Sequence, residues 1–177
     1  MKVLALILSV FRLLVPHAAQ AAPAAELKVL DPAPPFTART QEGKEFDLNS
    51  RKGQWTVLYF YPKAGTPGCT KQACAFRDKI EKIRAEGAEV YGISSDTVEE
   101  QAAFYKKHHL NFTLLADPES KIITMYGTKL PLMKMSRRWT FILDPELKIR
   151  EIAKDVDPVL DSERVAAKIA ALKKERK

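Results

Sequence analysis

With 177 residues, 46% of them hydrophobic and 29% charged, the chain carries enough apolar material for one domain with a sizeable core. That composition excludes a disordered or low-complexity protein. The formal charge of +7 is spread along the sequence apart from a lysine-rich end (Lys173, Lys174, Arg176, Lys177). No aromatic residues interleave with that run, so it reads as a solvated helix terminus and not as a nucleic-acid groove.

Residues 1–21 have the plan of an export signal. Lys2 gives the positive start, Val3 to Val15 is an apolar run broken by Ser9 and Arg12, and Ala19-Gln20-Ala21 offers small residues for cleavage after Ala21. The competing reading is an uncleaved anchor, but the run of 13 residues is short of what spans a bilayer, roughly 20. The expected destination is a bacterial periplasm, without stable membrane association. Residues 22–35, rich in Ala and Pro, should form an extended lead-in to a single domain over 36–177.

Within that domain, Phe36–Thr40 and Glu45–Leu48 around Gly43 suit a small hairpin. Trp55 to Tyr61 is a continuous β-prone run ended by Pro62, as for a strand buried on both faces. Ala73, Phe76, Ile80 and Ile83 recur at spacings of three and four and mark the buried face of a helix closed by Gly87. Val90–Ser94 is the next strand. A helix over Thr97–His109 should point Ala102, Ala103 and Phe104 inward.

Phe112–Leu115 is a third strand, stopped by Asp117-Pro118, and a short helix runs from Glu119 to Tyr126. Residues 127–137 form a loop. Trp139–Leu143 is a strand that turns at Asp144-Pro145-Glu146 into a returning strand with Ile149 and Ile152. Val165, Ile169 and Leu172 carry the last helix. Alternating strands and helices predict an α/β, thioredoxin-like sandwich with a central mixed sheet and flanking helices.

The chemistry concentrates between Pro62 and Cys74. Thr66 suits a helix N-cap and Pro67 the first helical position, which puts Cys69 in the first turn. Unpaired backbone N–H groups and the positive end of the dipole favour a thiolate there. A thiolate can attack an O–O bond, and the resulting sulfenic acid can condense with a second thiol. Cys69 also continues the apolar stripe of the helix, so a packed core cysteine is the alternative.

Cys74 is the available second thiol, five positions on. Closing so short a loop removes little chain entropy, so a bridge between the two would stabilise the fold weakly and its purpose is more chemical than structural. On an intact helix that spacing means a rise of about 7.5 Å and a rotation of about 140°. The Cα atoms would then lie roughly 8–9 Å apart, beyond disulfide reach. Bonding requires the first turns to unwind, with Gly65, Gly68 and Thr70 as weak points.

The pattern Pro62-x-x-x-Thr66-x-x-Cys69 resembles the active-site motif of peroxiredoxins. The string YFYPKAGTPGCTKQACAFRD is similar to their bacterioferritin-comigratory, or PrxQ, subgroup. SSDTVEEQAAF, FTLLADPESKI and RWTFILDPELKI extend the likeness over nearly all of residues 22–177. The resemblance implies a thioredoxin-dependent, atypical 2-Cys peroxidase acting on hydrogen peroxide and organic hydroperoxides. Cys69 would be peroxidatic and Cys74 resolving. Thr66 would hydrogen-bond the thiolate and the peroxide, Pro62 would shield the pocket, and Arg138 would hold the thiolate. Arg137 is adjacent, but neighbours on a strand face opposite ways, and Arg138 is in register with the R-x-[ST]-F pattern.

The reductant implied is a thioredoxin-like protein, and an intramolecular disulfide makes a monomer sufficient. The chain departs from the subgroup at Gln72, often glutamate, and at Gln101, frequently histidine. A disulfide oxidoreductase of exported proteins is the main alternative, disfavoured because C-x-x-x-x-C replaces the usual C-x-x-C. A non-catalytic binding protein with a structural disulfide is a third reading. No glycine-rich phosphate loop occurs, so no nucleotide cofactor is expected. His108 and His109 read as cations at a helix end and not as metal ligands. Trp55 and Trp139 are expected in the core.

Overall fold

The computed structural model describes residues 26–175; the signal-like residues 1–21 and the start of the lead-in, 22–25, lie outside the described residues. The elements are β1 (Thr37–Thr40), β2 (Glu45–Asp47), β3 (Trp55–Phe60), α1 (Pro67–Ala85), β4 (Ala88–Ser94), α2 (Val98–Lys107), β5 (Thr113–Ala116), α3 (Lys121–Met125), β6 (Trp139–Leu143), β7 (Ile149–Ala153) and α4 (Asp161–Glu175). They build one mixed sheet in the order β2-β1-β5-β4-β3-β6-β7. β3, β4 and β5 run parallel in its middle, and β1 and β6 flank them antiparallel. The lead-in is laid along the β6–β7 turn, where Leu30 and Ala33 donate backbone bonds to Ile149 and Leu147.

Every residue of β3 is buried. Successive side chains point to opposite faces of a strand, so β3 feeds two cores. Trp55, Val57 and Tyr59 join Phe76, Ile80 and Ile83 of α1 and Val165, Ile169 and Leu172 of α4. Leu58 and Phe60 join Ile122 and Ile123 of α3, Tyr126, and Phe141 and Leu143 of β6. Each apolar side chain taken fully out of water contributes about 1.5–3 kcal/mol, so these two layers dominate the stability. Gly92 of β4 allows the closest approach: a Cβ there would come within 2.6 Å of the Tyr59 ring.

Three local expectations are corrected. In α2 it is Gln101 and Phe104 that are buried, whereas Ala103 is exposed and Ala102 half-buried. Gln101 turns inward because buried polar partners await its amide, as described below. Trp139 is only half-buried, and the Lys154 ammonium lies 4.7 Å above its ring. His108 caps the end of α2 but is not a fixed cation. Burial, together with Lys107, Arg77 and His109 nearby, pulls its pKa below the ordinary 6.5.

Candidate active site

β3 delivers the chain into a loop, residues 61–66, that ends where α1 begins. Pro62 is half-buried in this loop, and Gly65 takes a positive φ of 78° that favours glycine. Thr66 has the extended backbone of an N-cap and Pro67 opens the helix, as expected from their types. The Thr66 side chain, however, does not cap: its hydroxyl donates to the Lys63 carbonyl at 3.0 Å. The first backbone bond of the helix is Thr70 N–H to Thr66 O, at 2.8 Å. The Gly68 and Cys69 N–H groups therefore open the helix without a side-chain cap, a setting that favours an anion. With its proton committed to the Lys63 carbonyl, the Thr66 hydroxyl has only lone pairs to offer, so it does not donate to Cys69 as the sequence suggested.

Cys69 is 1% exposed, packed beside Tyr61 and Ala73 in the α1 core. The loop 127–137 and the start of β6 bring Arg138 to it. One Arg138 nitrogen, Nη2, donates to Cys69 Sγ at 3.5 Å. Gly68 makes room for this, since a Cβ there would meet Nη2 at 3.1 Å. Arg137 points elsewhere and donates to the Lys129 carbonyl at 3.0 Å. Cys74 is half-buried on the same unbroken helix, and both thiols are free.

Two buried polar networks flank this centre. On one side Arg138 Nη1 donates to Gln72 Oε1 at 2.6 Å, and Gln72 Nε2 donates to Asp161 Oδ2 at 2.8 Å. Thr140 also donates to Oδ2, at 2.7 Å, while Arg164 donates to Oδ1 at 2.6 Å and continues to Glu151. On the other side burial raises the Tyr61 phenol's pKa well above its usual value, so it stays protonated and donates to Gln101 Oε1. Gln101 Nε2 then donates to Ser94 Oγ at 2.8 Å, and Ser94 donates to Asp96 at 2.6 Å. Asp96 in turn accepts from Ala64 N–H at 2.8 Å and Lys63 Nζ at 3.0 Å, which pins the loop ahead of the cysteine.

Asp96, Asp161 and Arg164 were not singled out from the sequence. A single charged residue gives no signal of burial, and Asp161 is 89 positions from its partner Gln72. The two departures at Gln72 and Gln101 were the only visible pointers, and both turn out to be amides that donate and accept at once.

Residues 29–152 match the AhpC/TSA family. The chain belongs to that family. Within it, this is a peroxiredoxin of the bacterioferritin-comigratory, or PrxQ, subgroup. The chloroplastic peroxiredoxin Q of Sedum lineare is 50% identical over 112 residues, covering 63% of this chain and 60% of that protein. The chain thus spans less than two thirds of that relative's length. Among solved structures, the peroxidoxin BcpB of Mycobacterium tuberculosis has a TM-score of 0.78 at 30% identity, covering 83% of this chain and 99% of that one. The bacterioferritin comigratory protein of Xanthomonas campestris has a TM-score of 0.73 at 26% identity, covering 77% and 91%. The mixed sheet with flanking helices is accordingly the thioredoxin fold as peroxiredoxins build it.

Proposed function

We propose that this peroxiredoxin is a thiol-dependent peroxidase for hydrogen peroxide and organic hydroperoxides, with Cys69 as the attacking thiol. The observation that carries the reading is the Arg138 guanidinium donating to Cys69 Sγ at the uncapped mouth of α1. The thiolate attacks one peroxide oxygen; an S–O bond forms as the O–O bond breaks. The departing alkoxide or hydroxide takes a proton and leaves as alcohol or water. Charge grows on that oxygen, and fixed donors in a nearly dry pocket stabilise it without reorganising. Arg138 and the first-turn N–H groups are those donors, Thr66 accepts from the peroxide, and Pro62 shields the pocket.

The sulfenic acid on Cys69 is then attacked by Cys74. An S–S bond forms and hydroxide leaves as water. With α1 intact the two sulfurs cannot meet, so residues 67–74 unwind first. Phe76, stacked on Tyr59 at 4.8 Å between ring centroids, and Arg77, bonded to the His108 carbonyl at 2.7 Å, stop the unwinding from spreading. A thioredoxin-like dithiol returns the disulfide to two thiols. The cycle closes within one chain, so a monomer suffices.

Among the described residues no helix is long and apolar enough to cross a membrane. Export to a bacterial periplasm, after cleavage at Ala21, belongs to the same reading and rests on the pattern of residues 1–21. The C-x-x-x-x-C spacing across an intact helix counts against an oxidoreductase whose disulfide must form and open with little movement.

The test is stopped-flow reaction of the reduced protein with hydrogen peroxide. Cys69→Ser should consume peroxide no faster than buffer. Undiminished consumption by that variant would overturn the reading.

A further inference from the structure

Arg138 has one nitrogen on the reacting sulfur and another on a fully buried amide, and that amide is held by a carboxylate from a distant helix. We infer that Gln72 and Asp161 act as a positioning pair: Asp161 orients the Gln72 amide, and the amide in turn aims Arg138 at Cys69. The inference rests on the peroxidase reading only for its consequence in turnover.

Donors and acceptors around Gln72 can be matched in one arrangement. Arg138 can only donate, so Gln72 must present its oxygen to Nη1, at 2.6 Å. The Gln72 NH2 then faces the carboxylate of Asp161, which can only accept when ionised. Asp161 fixes which way the amide points, and a donor bond to a carboxylate polarises the amide oxygen into a better acceptor. Gln72 and Asp161 are 0% and 1% exposed, so water does not compete for these bonds.

Asp161 is itself held by Thr140 and by Arg164, and Arg164 is paired with Glu151. Charges alternate along the series, from Arg138 to Asp161 to Arg164 to Glu151, so the one fully buried ion, Asp161, is flanked by cations that are themselves partly exposed. The series runs through α1, β6, β7 and α4, so four elements converge on the angle of one guanidinium. Without it, Arg138 loses the anchor that sets its direction.

A purely structural tie between α1 and α4 would use the same bonds, and a mutant cycle separates the two. Gln72→Glu keeps the shape and the acceptor for Arg138 but sets a carboxylate 2.8 Å from that of Asp161. It should slow both peroxide consumption and alkylation of Cys69 by iodoacetamide about tenfold or more. Adding Asp161→Asn should restore both rates to within a few-fold of wild type, because an amide is again next to an acceptor. If Gln72→Glu does not fold, Gln72→Met serves. It should slow both reactions about tenfold, and Asp161→Asn should then add no further loss, since its route to Arg138 is already cut.

Rates that multiply independently in either cycle, or a Gln72→Glu protein as fast as wild type, would overturn the inference. A wild-type protein that consumes no peroxide would instead sink the peroxidase reading, while the alkylation rates would still judge the positioning pair.

Discussion

The first two turns of α1 and the remainder of the same helix are held by different forces. Residues 67–74 begin without a side-chain cap, include Gly68 and Thr70, bury only the small side chains of Cys69 and Ala73 beside the Gln72 amide, and are tied to the body by the bonds of Gln72. Residues 76–85 bury Phe76, Ile80 and Ile83. They are also tied outward, by Arg77 to the His108 carbonyl and by Arg84 to Glu89 and the Asn111 carbonyl. A net hydrogen bond contributes about 0.5–1.5 kcal/mol, whereas a buried aromatic or aliphatic side chain contributes about 1.5–3. On the proposed reading, one helix thus joins a reactive, less firmly fastened end to a firmly packed stem. That division is what a cysteine pair needs when it reacts in one conformation and bonds in another.

Removing the second thiol takes away the reason for unwinding and has the largest expected effect. Cys74→Ser should still consume one peroxide per chain, at the wild-type rate, yet form no disulfide and fail to turn over with a thioredoxin-like reductant. Single-turnover and steady-state assays side by side check this. Next in size is an attack on the stem. Phe76→Ala should cost about 3–5 kcal/mol in urea denaturation, because it empties a fully buried site stacked on Tyr59.

Making the catalytic end resemble the stem is subtler. Gly68→Ala should raise stability by about 0.5–1 kcal/mol through helix propensity. At the same time its Cβ would press on Arg138 Nη2 from 3.1 Å. The variant should therefore melt higher, react more slowly with peroxide, and form the Cys69–Cys74 bond more slowly. Thermal melts and quenched-flow disulfide trapping check those three outcomes.

The smallest effect concerns His108, where the stem meets α2. Its pKa is depressed below 6.5, chiefly by burial, so the unfolded chain binds more protons in the window below 6.5. Its contribution to stability is full above pH 6.5 and falls as pH drops through the depressed value. His108→Gln should flatten the stability-against-pH curve in that window alone.

Much of this was legible in the sequence for a physical reason: period-2 and period-3.6 apolar patterns report burial directly. Trp55–Phe60 and the stripe Phe76, Ile80, Ile83 are where they were expected. The pattern misled at α2, because alanine is indifferent to burial and Gln101 is drawn in by Tyr61, Ser94 and the Leu115 carbonyl. It also assigned Thr66 to capping. The backbone there is that of an N-cap, but the hydroxyl has a nearer acceptor in the Lys63 carbonyl. Cys69 and Arg138 were visible through local motifs, and the structure brings them together. Asp96 and Asp161 were not, since only the folded topology carries them to the loop and to Gln72.

The most direct test is to treat the reduced full-length protein with one equivalent of hydrogen peroxide and map its sulfurs by mass spectrometry. A single link between Cys69 and Cys74 within one chain is the expected product. A Cys69 that remains a free thiol, or one bridged only to another chain, would contradict an attacking cysteine and its partner sharing one loosely fastened helix end.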